Sequence, residues 1–198
     1  VYFRDHLMNF NNAREAIEHG FALITEERKA NGLFLKSDLT FNTTIANLDQ
    51  YKGGLGLSMP KMVKATNKEI KVMHTKCMGP DDMIANLSGG NQQKVCIAKA
   101  LCTSPKFLFV SEPTRGIDIG AKKLVLETLV RLNRELSMTV VIISSELQEL
   151  KSVSDRIAIV SEGKLVDVLS PQASDADYGL AMSGIRPSEH LEKEGTNA

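Results

Sequence analysis

The chain has 198 residues, 24 basic side chains against 24 acidic ones, and is 42% hydrophobic and 24% charged. That size and composition describe a globular protein with one large domain, or one domain and a small appendage, and exclude a disordered chain. Zero formal charge argues against a bulk electrostatic hold on nucleic acid or anionic lipid, and no apolar run approaches the roughly 20 residues that cross a bilayer.

In chain order, Asn12 followed by Glu15 reads as a capping box, and Gly20 after His19 as a helix stop. Residues 21–24 form the first of four short, continuous apolar runs; the others are 107–110, 140–143 and 157–160. Such runs are expected of a parallel sheet covered on both faces. Residues 37–83 differ, being rich in Thr, Asn and Lys, with Gly53, Gly54 and Gly56 clustered before Pro60. A smaller, mainly helical lobe is expected there. Between the second and third apolar runs, residues 121–136 place Leu124, Val125, Leu129 and Leu132 at helical spacing, which completes a βαβ unit and makes the fold class α/β. Glu162, Gly163 and Lys164 then predict a hairpin turn, and the polar tail from Glu189 is expected to fray. Cys77, Cys96 and Cys102 are scattered, with no CxxC pair, so neither a disulfide scaffold nor a zinc knuckle is expected and a reducing compartment fits.

Two segments carry chemistry. Leu87-Ser88-Gly89-Gly90-Asn91-Gln92-Gln93-Lys94 places a natural N-cap, Ser88, before a helix whose buried stripe would be Val95, Ala98 and Leu101. Two glycines beside the cap let a ligand approach the backbone, and a helix N-terminus favours an anion. The octet by itself reads equally well as an ordinary capped helix. In the second segment the strand at 107–110 runs into Ser111, Glu112, Pro113 and Thr114, and then Arg115, Gly116, Ile117 and Asp118. A carboxylate at a strand end sits where ligands of open α/β folds bind, and it could polarise a water for attack on phosphate. A strand-terminal Glu in a solvated loop is the plainer alternative.

Together, LSGGNQQK and FLFVSEPTRGID, the second starting 13 residues after Lys94, resemble the ATP-binding cassette family in order and spacing. The Gly20–Arg28 wording, the NQQK continuation and the TRGID loop are similar to the second cassette of tandem monosaccharide-import ATPases, with galactoside and ribose importers nearest in pattern. The resemblance implies a partial P-loop NTPase core with a mostly parallel sheet at 1–36 and 105–170. A helical subdomain carrying the signature motif at 37–104 and a C-terminal extension at 171–198 complete one N-terminally truncated domain. It assigns Ser88, Gly89, Gly90 and Gln92 to the signature motif, Glu112 to the catalytic glutamate position and Asp118 to the D-loop. Glu26 falls at the Q-loop position, where a glutamine is usual.

The sequence also departs from the family pattern. No GxxxxGK[ST] occurs in the 198 residues, so this chain supplies no P-loop. Ser111 stands at the metal-ordering aspartate position and Ser145 at the switch-histidine position. A neutral hydroxyl weakens a Mg²⁺ site, and without an imidazole the γ-phosphate loses a contact. His6, His19, His74 and His190 are expected on the surface or in loops. The resemblance therefore implies ATP and Mg²⁺ held only together with a partner cassette that brings the P-loop. It further implies transmembrane permease subunits, an indirectly engaged sugar-binding protein, no nucleic acid, and a peripheral place on the cytoplasmic face of the membrane. A non-hydrolytic binding or regulatory module is the alternative, and a soluble cassette of translation or DNA repair fits less well.

Overall fold

The computed structural model describes residues 2–3 and 6–187. The expected frayed tail from Glu189, and His190 within it, lie outside these residues. The chain divides into two compact units, Val1–Ile143 and Ser144–Ala198.

In the first unit β1 (Tyr2–Phe3) pairs antiparallel with β2 (His6–Leu7). Helix α1 (Ala13–Glu18) starts at Asn12, whose side chain accepts from the Glu15 amide at 3.0 Å. The Glu15 carboxylate reaches the amide of Asn11 at 2.9 Å, not that of Asn12, so the expected capping box is shifted by one residue on its return side. Gly20 follows at φ +89, a left-handed stop that suits glycine.

The parallel sheet has three strands, in the order β3 (Phe21–Ile24), β6 (Phe107–Ser111) and β7 (Thr139–Ile143). Leu108 pairs with Ala22 on one side and Val140 on the other. Leu108 and Val110 are fully buried, together with Val95 and Ala98 of α4 (Gly89–Leu101) and Val125, Leu129 and Leu132 of α5 (Ile119–Leu136). Each of these Leu and Val side chains contributes about 1.5–3 kcal/mol when taken from water. Leu124 points off this stripe and is exposed.

The expectation of a sheet covered on both faces is corrected. Burial alternates along β6, and on the second face Phe21, Phe107 and Phe109 are half-buried while Leu23 is 63% exposed. The helices α4 and α5 pack on the Leu108–Val110 face, whereas α1 has six residues and buries none of them. The aromatic rings partly shield one another, Phe21 stacking on Phe107 at 5.3 Å between centroids. A cavity of about 490 Å³ opens along β3, lined by Phe10, Phe21, Leu23, Phe109, Cys96 and Lys99 among others.

Between β3 and β6 the chain is mainly helical, as expected: α2 (Leu39–Thr44), α3 (Met59–Val72) and α4, with a small hairpin of β4 (Lys52–Gly53) and β5 (Gly56–Leu57). Asn42, fully buried, ties the segment together by donating to the carbonyls of Phe34 and Asp38.

The second unit holds α6 (Leu147–Val153), β8 (Ile157–Ser161), β9 (Lys164–Leu169) and α7 (Asp175–Met182). The fourth apolar run therefore does not extend the parallel sheet. Its ladder pairs antiparallel with β9 across Glu162 and Gly163, both at positive φ, the backbone of a tight hairpin turn. Ile157, Ile159, Tyr178 and Ala181 form this unit's core. Ser174 and Asp177 close a full capping box on α7.

Candidate functional site

Ser88 occupies the N-cap position of α4, but its side chain makes no cap hydrogen bond. That corrects the expected capping role. Its Oγ accepts instead from Asn91 Nδ2 at 3.0 Å, and Asn91 Oδ1 accepts from the Lys76 amide at 3.0 Å. The Lys76 amide can only donate, so it sets which way the Asn91 amide faces. Ser88 Oγ accepts this bond and keeps its own proton free to donate, on a side chain that is exposed at the helix N-terminus.

The two glycines serve a purpose that composition does not reveal. A Cβ on Gly90 would lie 2.6 Å from the methyl of Ala121, in the first turn of α5. One on Gly89 would meet Arg28 Nη2 at 3.0 Å, the Gly116 carbonyl at 3.2 Å and Ile117 at 3.2 Å. Close internal packing therefore leaves no room for a side chain at either position. Gln92 is buried, and its Nε2 donates to the carbonyls of Ile84 and Leu87. It braces the turn that presents Ser88 and is not itself at the surface. Lys94 is likewise drawn in, donating to the His74 carbonyl at 2.9 Å, and burial lowers its pKa. Cys96, two residues further along, has its thiol pushed up to about 12 by burial.

Strand β6 ends at Ser111, and Glu112 follows with φ +45, a left-handed conformation uncommon outside glycine. The Glu112 amide donates to the Ile143 carbonyl at 2.8 Å, so the strained residue is pinned to the end of β7. Such strain costs roughly 1–3 kcal/mol and persists where surrounding structure enforces it. Pro113 and Thr114 are buried, and the chain emerges at Arg115 and Gly116. Asp118 caps α5, its carboxylate accepting from the Ala121 amide at 2.9 Å.

Glu26 and Glu27 lie just beyond β3, and both pair with Arg115, Glu27 at 3.3 Å. Arg28 turns inward, donating from Nη1 to the Arg115 carbonyl at 2.6 Å and from Nη2 to the Gly116 carbonyl at 2.9 Å. The structure thus brings Glu26, Gly89, Gly90 and the 115–118 segment together. Ser145 lies two residues past β7 and belongs to the second unit. Arg28 and Arg115 were not singled out by sequence reasoning. Within the charged run Glu26-Glu27-Arg28-Lys29 nothing distinguishes an arginine that is 8% exposed from a solvated one.

The donor set does not fit a divalent cation. Ser111 offers a neutral hydroxyl, and among the described residues no three His, Cys, Asp or Glu side chains converge as metal ligands. No step is therefore assigned to a metal held by this chain.

The motifs, the strand-end glutamate and the capped α5 together define a nucleotide-binding cassette fold, and comparison places the chain in a family. A model of the ABC transporter family matches residues 6–115, and the chain belongs to that family. It is 42% identical over 183 residues to a galactose/methyl galactoside import ATP-binding protein, MglA, of Treponema denticola, covering 92% of this chain and 37% of that protein. It is 44% identical over 179 residues to MglA 2 of Photobacterium profundum, covering 90% and 35%. The chain thus spans little more than a third of these relatives' length. Among solved structures it resembles the dimeric post-hydrolysis state of the ATP-binding cassette MJ0796 bound to ADP and Pi, with a TM-score of 0.70, 20% identity and coverage of 87% and 73%. It also resembles cbiO1 of Clostridium perfringens, part of the ABC transporter complex cbiONQ, with a TM-score of 0.70, 18% identity and coverage of 92% and 68%. These structural likenesses concern the fold.

Proposed function

We propose that the chain works as a nucleotide-binding part of a simple-sugar importer of the galactoside class, presenting its signature motif to ATP held by a partner cassette. The supporting observation is the relay from the Lys76 amide through Asn91 to Ser88, which orients an exposed hydroxyl at the start of a 13-residue helix. A phosphate brought there would accept from the Ser88 hydroxyl and meet the positive end of the helix dipole. The phosphate grip and any Mg²⁺ would come from the partner, because Ser111 and Ser145 replace charged or basic groups at their positions. Glu112 stands at the strand end as the candidate base, and Glu26 would face permease subunits at the cytoplasmic surface of the membrane. Among the described residues no helix is long and apolar enough to cross a membrane. Importers of this kind close two cassettes on bound ATP and pass the closure to the permease.

The test is Ser88→Arg in the assembled transporter. Ser88 is exposed, so the substitution should leave the fold intact while abolishing ATP turnover through a blocked phosphate approach. Full turnover in that variant removes the assignment. Ser111 favours a second reading, in which the chain completes its partner's site and hydrolyses nothing itself. MgATP hydrolysis by the purified chain alone would refute that reading.

A further inference from the structure

Three segments of the site converge on one charged side chain. Arg28 is 8% exposed and its fork spans two successive carbonyls, those of Arg115 and Gly116. The same guanidinium lies against Gly89, close enough that a Cβ there would be 3.0 Å from Nη2. Its Nε is buried with no hydrogen-bond partner among the described residues. The nearby carboxylates of Glu26 and Glu27 go to Arg115 instead. A guanidinium buried on carbonyls alone is costly to desolvate and is retained only where rigid surroundings hold it.

We infer that Arg28 is a positioning residue that locks the 115–118 loop onto the signature helix and links both to Glu26. The connections are crossed: residues 26 and 27 hold the Arg115 side chain, while residue 28 holds the Arg115 backbone. Moving Glu26 shifts Arg115, whose carbonyl bears on Arg28, and Arg28 bears on Gly89. A displacement at the 26–28 loop thus reaches the signature motif through two bonded links and one packing contact, that of Arg28 with Gly89, without passing through the sheet. Lysine cannot replace arginine here, since a single ammonium lacks the planar fork that spans both carbonyls. The inference rests on the proposed function for its meaning in transport, where the Glu26 loop would face the permease, but its geometry stands without nucleotide.

Hydrogen exchange on the 198-residue chain tests it. Arg28→Lys should accelerate amide exchange about tenfold at 89–92 and at 115–121, the change expected of about one lost hydrogen bond, with α3 unaffected. Glu26→Lys should accelerate exchange at 89–92 in the native background and add nothing in the Arg28→Lys background. Additive effects, or a uniform rise across α3 and the sheet, would show a general stabilising role and overturn the inference. Glu26 and Arg115 are exposed, so Glu26→Lys and Arg115→Gln keep the test decisive should Arg28→Lys fail to fold. Unchanged exchange at 89–92 in both also overturns it. Because no ATP or partner is needed, loss of this linkage is distinct from failure of the transport reading, which would show as full ATP turnover in Ser88→Arg.

Discussion

Replacing Gly90 by alanine separates two reasons for a glycine in the signature motif. The new Cβ would lie 2.6 Å from the Ala121 methyl, where ordinary contact begins at 3.4 Å. Ala121 has no side-chain torsion to relieve this, so α4 and α5 must move apart by most of an ångström. Overpacking of this kind costs about 1–3 kcal/mol. Alanine regains about 0.5–1 kcal/mol of helix propensity over glycine, which leaves a net loss of about 1 kcal/mol. The unfolding midpoint of the first unit should fall by about 2–4 °C, read by circular dichroism at 222 nm. Adding Ala121→Gly to Gly90→Ala should recover a coupling of about 1 kcal/mol or more, because the two positions share one contact. A Gly90→Ala protein at least as stable as the native one, or a strictly additive double variant, would refute the packing account. The glycine would then serve only the approach of a ligand.

Three other perturbations probe the same unit. Asp118→Ala removes the acceptor for the Ala121 amide and should cost about 1 kcal/mol in denaturant titration, with Asn restoring most of it; equal stability of Asp and Ala would show the cap contributes nothing. Glu69 in α3 is buried with Oε2 unpartnered, and burial raises its carboxyl above the usual 4.5. A raised carboxyl contributes most while protonated, so the contribution of Glu69 to stability should be largest below pH 4.5 and be lost as pH rises through the higher folded value. Glu69→Gln should flatten this decline and raise the melting temperature at pH 7–8, and a variant less stable than native at pH 8 would contradict it. The Cys96 thiol, pushed up to about 12 by burial, should resist iodoacetamide at pH 8 in the folded chain and react readily in denaturant; rapid native labelling at Cys96 would contradict its burial.

Local signals made much of this molecule legible in the sequence. The apolar runs at 21–24, 107–110 and 140–143 became adjacent parallel strands, each short and continuous, the last two joined by the helix-length connection that holds α5. The hairpin at 162–163 and the cap at Asn12 follow from turn and capping chemistry that acts within a few residues. The motif order likewise pointed to a cassette, and the family match at 6–115 agrees.

Tertiary structure decided the rest, since it depends on neighbours distant in the chain. Apolar runs predict burial without saying what will cover them, so the half-exposed face of Phe21, Phe107 and Phe109 was not foreseeable. The fourth run is as apolar as the others, yet its hydrogen bonds go to β9, a choice made by the short turn that joins them. Glycines at 89 and 90 announce that something comes close; only packing shows that Arg28, Gly116 and Ala121 do. Arg28 illustrates the limit most clearly. Its chemistry is written in one letter amid a charged run, but its burial comes from residues almost ninety positions away.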